Sequence, residues 1–267
     1  MSAERPSVKL MITVMCAALY AVGSYMTAYI PSPWGFGQFR PAVVIPALFA
    51  AVFGPLPAGI GAALGTLLAD SIKHGYLYPG SLIAAVPGNL IGFFLMGWFL
   101  KSKFSWNRFI VISNIGLLVA NSVVAALYVF AYKVLYQHQY SGIPSDALVA
   151  VAAGLTLFWF VTMLPFVLLI TPPLIQAVVK AFPSFVYPEL VEALGRKIPN
   201  RELGASMLGP GMVLFVIALL TSFTGLGAWM TGNPTFGPIA KSIIEVLCYI
   251  CGAILSIVGL YFLTRDA

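Results

Sequence analysis

The chain has 267 residues, of which 60% are hydrophobic and 8% charged, and its mean hydropathy is +0.97. A soluble fold of this length has nowhere to place so much apolar surface, so the composition excludes a water-soluble globule and implies a polytopic, all-α integral membrane protein. The net charge of +6 would suggest an acidic partner in a soluble protein; here it marks the cytoplasmic side of the membrane and not nucleic-acid binding.

Arg5 and Lys9 precede an apolar run from Leu10 to Ala28, which is too long for a signal-peptide h-region and lacks an A-x-A-like site, so it reads as a retained first helix. Two short apolar runs follow, Pro41 to Phe53 and Ala58 to Asp70, separated by Gly54, Pro55 and Pro57. Each would rise only about 20 Å as a helix, against a hydrocarbon core of about 30 Å. Proline opposes merging them into one helix. Charge tests the alternative, a same-side hairpin. With a hairpin, ten Lys and Arg residues share the N-terminal side and only Arg40, Lys73, Lys133 and Lys241 lie opposite. With a single crossing the division becomes five against nine. The positive-inside rule therefore selects the hairpin and places both termini in the cytoplasm.

The second arm is rich in small residues and contains a G-x-x-x-G from Gly61 to Gly65, a face suited to close packing against a neighbouring helix. Runs from Leu82 to Leu100, Phe109 to Tyr132 and Ala147 to Val179 complete a first block of six segments. The connector Ala181 to Gly204 holds a short amphipathic piece, with Leu190, Val191 and Leu194 opposite Glu189, Glu192 and Arg196; it reads as an interfacial helix or a solvated linker. Runs from Met207 to Leu226 and Pro238 to Leu263 then form a further two-helix hairpin. The predicted organisation is a six-helix core over residues 9–180, a cytoplasmic connector over 181–204 and an added transmembrane hairpin over 205–264.

The sequence holds no P-loop, no H-E-x-x-H, no G-x-S-x-G and no paired carboxylates within the apolar runs. Its three cysteines, Cys16, Cys248 and Cys251, have no partner ligands nearby and read as small apolar packing. These features disfavour an enzyme and give no catalytic residue, cofactor or metal site. Arg40 and Asp70 fall together at the outer ends of the hairpin arms, so the two form an ion pair, or serve in gating or in contacting a charged solute. Glu245 follows Lys241 by one turn and pairs with it. Along the fifth run Asn114, Asn121 and Tyr128 recur at seven-residue spacing, with Tyr132 one turn later. Thr156, Trp159 and Thr162 answer from the sixth run and Asn89 from the fourth. Such residues provide interhelical hydrogen bonds or, with the outer-loop aromatics Trp34, Phe36, Tyr76 and Tyr78, line a binding cavity.

Several of these residues also carry a family resemblance: Arg40 and Pro41, the run LFAAVFGPLPAG from Leu48 to Gly59, Asp70, Tyr78-Pro79-Gly80, and Ala17 with Ala21 as an A-x-x-x-A in the first run. Over about Lys9 to Lys180 the chain resembles the substrate-binding S component of an energy-coupling factor (ECF) vitamin transporter. The resemblance implies a six-helix bundle with a short-helix hairpin formed by helices 2 and 3, here followed by a C-terminal two-helix hairpin that departs from the family pattern. It implies capture of a vitamin or related micronutrient from outside, with a separate transmembrane coupling subunit and two ATP-binding subunits as partners in the lipid membrane. By the family's layout, the solute would be met by Trp34, Arg40, Tyr76, Tyr78, Asn89, Asn121, Tyr128 and Trp159, and the coupling subunit by Ala17 and Ala21. The competing reading is a membrane-embedded sensor or assembly subunit that uses the same fold without transport.

Overall fold

The computed structural model describes residues 5–32, 37–140, 142–193, 195–226 and 237–265. Helix α1 spans Pro6–Met26, with its proline in the first turn, where no N–H is needed. Arg40 leads into a 3₁₀ turn, Pro41–Val43, that continues as α2, Val44–Phe53. Gly54 ends α2 at φ 85°, a conformation that side-chain-bearing residues rarely adopt, and α3 begins at the next residue. Helix α3 spans Pro55–His74 and stops at the left-handed Gly75.

The second arm of the hairpin is therefore longer than the 58–70 run predicted. Its 20 residues rise about 30 Å, enough to cross a membrane. Pro55 and Pro57 start the helix because its first turn has no hydrogen-bond acceptor for their missing N–H groups. Lys73 and His74 prolong it past Asp70, placing positive charge at the negative end of the helix dipole. The first arm remains short.

A π-helical turn, Ser81–Ala85, precedes α4, Val86–Ser102. Helix α5, Trp106–Ala126, is capped by Ser105, whose hydroxyl accepts from the Arg108 N–H at 3.2 Å. It continues as a π-helix over Leu127–Tyr136. Helix α6 spans Ser145–Ala181 and keeps Pro165, Pro172 and Pro173 in its interior, where neighbouring helices can accommodate the lost backbone bonds. A short helix α7, Pro188–Ala193, follows, then α8, Asn200–Phe223, and α9, Gly237–Thr264. Among the described residues, seven helical stretches are long and apolar enough to span a membrane, and Pro41–Phe53 is a shorter apolar helix. The chain is an all-α, multi-pass membrane protein.

Two compact units divide the chain, one holding α1 to α7 and the other α8 and α9. In the first, α3 packs between α1 and α4, α5 joins α4 to α6, and α2 is covered by α3, α4 and α6. Small residues set these distances. A β-carbon added to Gly61 would lie 2.5 Å from Cys16 Cβ, and one added to Gly65 would lie 2.8 Å from the Ala17 carbonyl oxygen. The G-x-x-x-G face of α3 thus serves α1, and Cys16 is a buried packing residue within that contact.

The connector does not remain a solvated linker. Trp106 Nε1 donates to the carbonyls of Ala193 and Arg196 at 3.1 and 3.2 Å, and Leu190 and Ala193 are buried. The Tyr187 hydroxyl donates to the Phe53 carbonyl at 3.4 Å, at the α2–α3 turn, with Lys101 Nζ 5.4 Å from the Tyr187 ring centroid. Helix α7 is thereby held at the end of the bundle opposite Arg40. In the second unit α8 and α9 pack along Gly204, Gly211, Gly252 and Gly259, and Lys241 pairs with Glu245 at 3.5 Å.

Candidate functional site

Arg40 and Asp70 settle the geometry of the hairpin's end remote from Gly54. Arg40 is 9% exposed and Asp70 5% exposed. The Arg40 guanidinium donates to Asp70 Oδ1 and to the Thr66 hydroxyl, and the Ser81 hydroxyl donates to Asp70 Oδ2. Both carboxylate oxygens are therefore engaged, one by α2's leading residue and one by the turn that opens α4. Burial of this pair is tolerable only because its polar atoms are bonded. The fully buried Tyr20 of α1 adds its hydroxyl beside the guanidinium.

The same loop that brings Ser81 to Asp70 also carries an aromatic cluster. Tyr78 stacks on His74 with centroids 3.9 Å apart and planes within 1°. It meets Tyr132 edge-on at 5.7 Å, and its hydroxyl lies 3.2 Å from that of Tyr128. Gly80 permits this, since a β-carbon there would lie 2.7 Å from the Tyr78 ring and 2.8 Å from the Tyr132 ring. The Tyr78 N–H donates to Ser71 Oγ at 3.2 Å, and His74 Nδ1 donates to the Asp70 carbonyl at 2.7 Å. Tyr132 accepts from Gln137 Nε2 at 2.9 Å, and Lys133 Nζ lies 5.7 and 5.5 Å from the Tyr128 and Tyr132 centroids. Burial, followed by the neighbouring Tyr128, pushes the Tyr78 hydroxyl above the ordinary tyrosine range, so it is a neutral donor or acceptor.

The residues singled out from sequence are distributed as follows. Arg40, Tyr78 and Tyr128 come together through the Tyr78–Ser81 loop. Tyr76 is exposed beside them, its ring 6.4 Å from that of Tyr78. Asn121 is buried on α5 and directs its amide to Met163 Sδ on α6 at 3.8 Å. Asn89 donates to the Ala85 carbonyl of its own helix at 2.9 Å, and Trp159 is buried on α6. Trp34 and Phe36 lie outside the described residues. Ala17 and Ala21 are each 5% exposed, on the face of α1 that Gly65 approaches. The opposite face of α1 exposes Leu10, Val14 and Ala18.

Sequence reasoning missed Thr66, Ser81 and His74. Nothing in their local pattern distinguishes them, although Ser81 adjoins the Tyr78-Pro79-Gly80 motif and His74 lies one turn beyond Asp70.

A sequence model of the family described as "ECF-type riboflavin transporter, S component" matches residues 7–180. The chain belongs to this family. No curated protein and no solved structure matches it. The match takes in the Arg40–Asp70 pair and the aromatic cluster, and it ends at the last residues of α6, so α7 to α9 fall outside it. As an S component the protein is a substrate-binding subunit of an ECF transporter, and its family is one of transporter subunits and not of enzymes.

Proposed function

We propose that this S component captures a planar heteroaromatic vitamin of the riboflavin type at the outer end of its six-helix core. The observation that carries the reading is Tyr78, which joins a buried charged network to a group of tyrosines on one short loop. Aromatic rings are suited to a flat conjugated solute, and the few polar groups beside them fix its orientation. Tyr78, Tyr128 and the exposed Tyr76 would form the stacking wall, with Trp34 as a further contact. Asn89, Asn121 and Trp159 would face the solute from α4, α5 and α6. Arg40, already bonded to Asp70 and Thr66, would shape the site by holding the hairpin against the loop more than by ligating solute.

Transport then requires energy from other chains, a transmembrane coupling subunit and two ATP-binding subunits, with both termini of this chain in the cytoplasm. The core over residues 9–180 would serve capture, and the connector and last two helices would be additions to it. The test is titration of riboflavin with the purified protein, read by loss of flavin fluorescence, followed by ATP-dependent uptake in vesicles holding the partner subunits. Quenching that saturates and weakens at least about tenfold in Tyr78→Ala supports the site. Absence of binding by riboflavin and by other vitamins overturns capture, and binding without ATP-dependent uptake favours a sensor.

A further inference from the structure

Tyr78 and His74 share a stack but are held very differently. Tyr78 is fixed: its backbone N–H donates to Ser71 Oγ, its hydroxyl meets that of Tyr128, and Tyr132 lies edge-on to its ring. Gly80 is packed so closely against the same ring that a β-carbon there would lie 2.7 Å from it. His74 is the last residue of α3, exposed, and followed by the left-handed Gly75, where an added β-carbon would meet nothing within 4 Å. Its hydrogen bond stays within its own helix, from Nδ1 to the Asp70 carbonyl at 2.7 Å; a carbonyl only accepts, so Nδ1 carries the proton. Its ring contacts are with Tyr76, edge-on at 6.1 Å, and with Tyr78. Rotation about the His74 side-chain torsions would therefore uncover Tyr78 without moving the backbone, and at an exposed position water replaces the lost bond.

The imidazole lies parallel to Tyr78, with centroids 3.9 Å apart and planes within 1°. A flat conjugated solute stacked on that tyrosine would take up the same parallel arrangement. We infer that His74 competes with the solute for the stacking face of Tyr78: binding displaces the imidazole, which returns when the solute leaves. The inference rests on the capture reading above and adds to it a residue that sets the threshold for entry. A multi-ring solute buries more apolar area against Tyr78 than the imidazole does and displaces it. A single small ring gains too little to do so, and His74 thereby selects for extended ring systems.

The test titrates riboflavin, by fluorescence, into the wild type, His74→Ala, His74→Gln and His74→Trp, with thermal unfolding in detergent to check that each is folded. Removing the competing ring tightens binding by about two- to tenfold in both His74→Ala and His74→Gln. The larger ring of His74→Trp weakens it. In the wild type, the nuclear Overhauser contact between the His74 and Tyr78 ring protons is present without riboflavin and disappears at saturation. Unchanged or weaker binding in both His74→Ala and His74→Gln, or a ring contact that survives saturation, overturns displacement while leaving capture at Tyr78 intact. Absence of saturable riboflavin binding in the wild type and in His74→Ala overturns capture of riboflavin itself, and the inference with it.

Discussion

Arg40 and Asp70, separated by 30 positions in sequence, close the end of the α2–α3 hairpin remote from Gly54 through a buried ion pair that also engages Thr66 and Ser81. The pair explains how a short helix and a full-length one stay in register. It also ties both to the loop on which Tyr78 stands.

Breaking the pair from one side leaves a buried charge without its partner. Arg40→Met or Asp70→Leu alone is expected to destabilise the protein by about 3–5 kcal/mol. The double variant should lose less than the two singles combined, because an apolar pair needs no compensation. Thermal unfolding in detergent, arranged as a double-mutant cycle, checks this. Additive losses would show that the two side chains act independently.

Tyr78 separates stacking from hydrogen bonding. Tyr78→Phe keeps the ring against His74 and Tyr132 and removes the contact with the Tyr128 hydroxyl, at a cost of about 1 kcal/mol, or roughly fivefold in riboflavin affinity. Tyr78→Ala removes the ring as well and is expected to cost at least about tenfold. Fluorescence titration distinguishes the two; equal losses would place the effect in the hydroxyl alone.

The raised pKa of Tyr78 sets a direction for alkaline behaviour. The group holds its proton more tightly in the folded protein than in the unfolded chain. Its contribution is fully present below the ordinary tyrosine value of about 10 and fades as pH rises through the higher folded value. Riboflavin binding should therefore show no loss attributable to Tyr78 between pH 7 and about 9.5. Tyr78→Phe is the control, and a wild-type-specific decline within that window would contradict the reading.

Gly61 tests the α1–α3 contact. Leucine there would drive side-chain atoms into Cys16, which already lies 2.5 Å from the position of an added β-carbon. A loss of about 1–3 kcal/mol or more is expected, whereas Leu10→Ala on the exposed face of α1 should stay within about 0.5 kcal/mol. The same geometry applies to Ala17→Leu. With Ala17 buried against α3, that variant disturbs the bundle before it disturbs any partner.

The hairpin was legible because its evidence was chemical as well as apolar: Gly54 and Pro55 mark the turn, and Arg40 and Asp70 mark the ends that meet. The length of α3 was not, since proline in a sequence reads as a break whether it starts a helix or interrupts one. The polar stripe gave a face without giving partners. Asn114, Thr156 and Thr162 bond to carbonyls of their own helices, at 2.8, 2.9 and 2.6 Å, and so supply no glue between helices.

Tyr128 and Tyr132 were read from sequence as one turn apart, but the continuation of their line to Tyr136 was not. Spacing arguments assume an α-helix, and the wider π-helical turn over Leu127–Tyr136 brings residues four apart closer to one line. Their rings accordingly follow one another at 5.3 and 5.7 Å. No residue in that run announces the change of helix type.

Helix α2 has a further consequence. Val44, Ala47, Phe49, Ala50, Ala51 and Val52 are buried, so this helix rests on protein along nearly its whole length. A helix that does not meet acyl chains has no thickness to match, and its shortness carries none of the mismatch cost that a lipid-facing segment would incur. Thinner or thicker bilayers should tilt or strain the longer helices around it while leaving α2 governed by its neighbours.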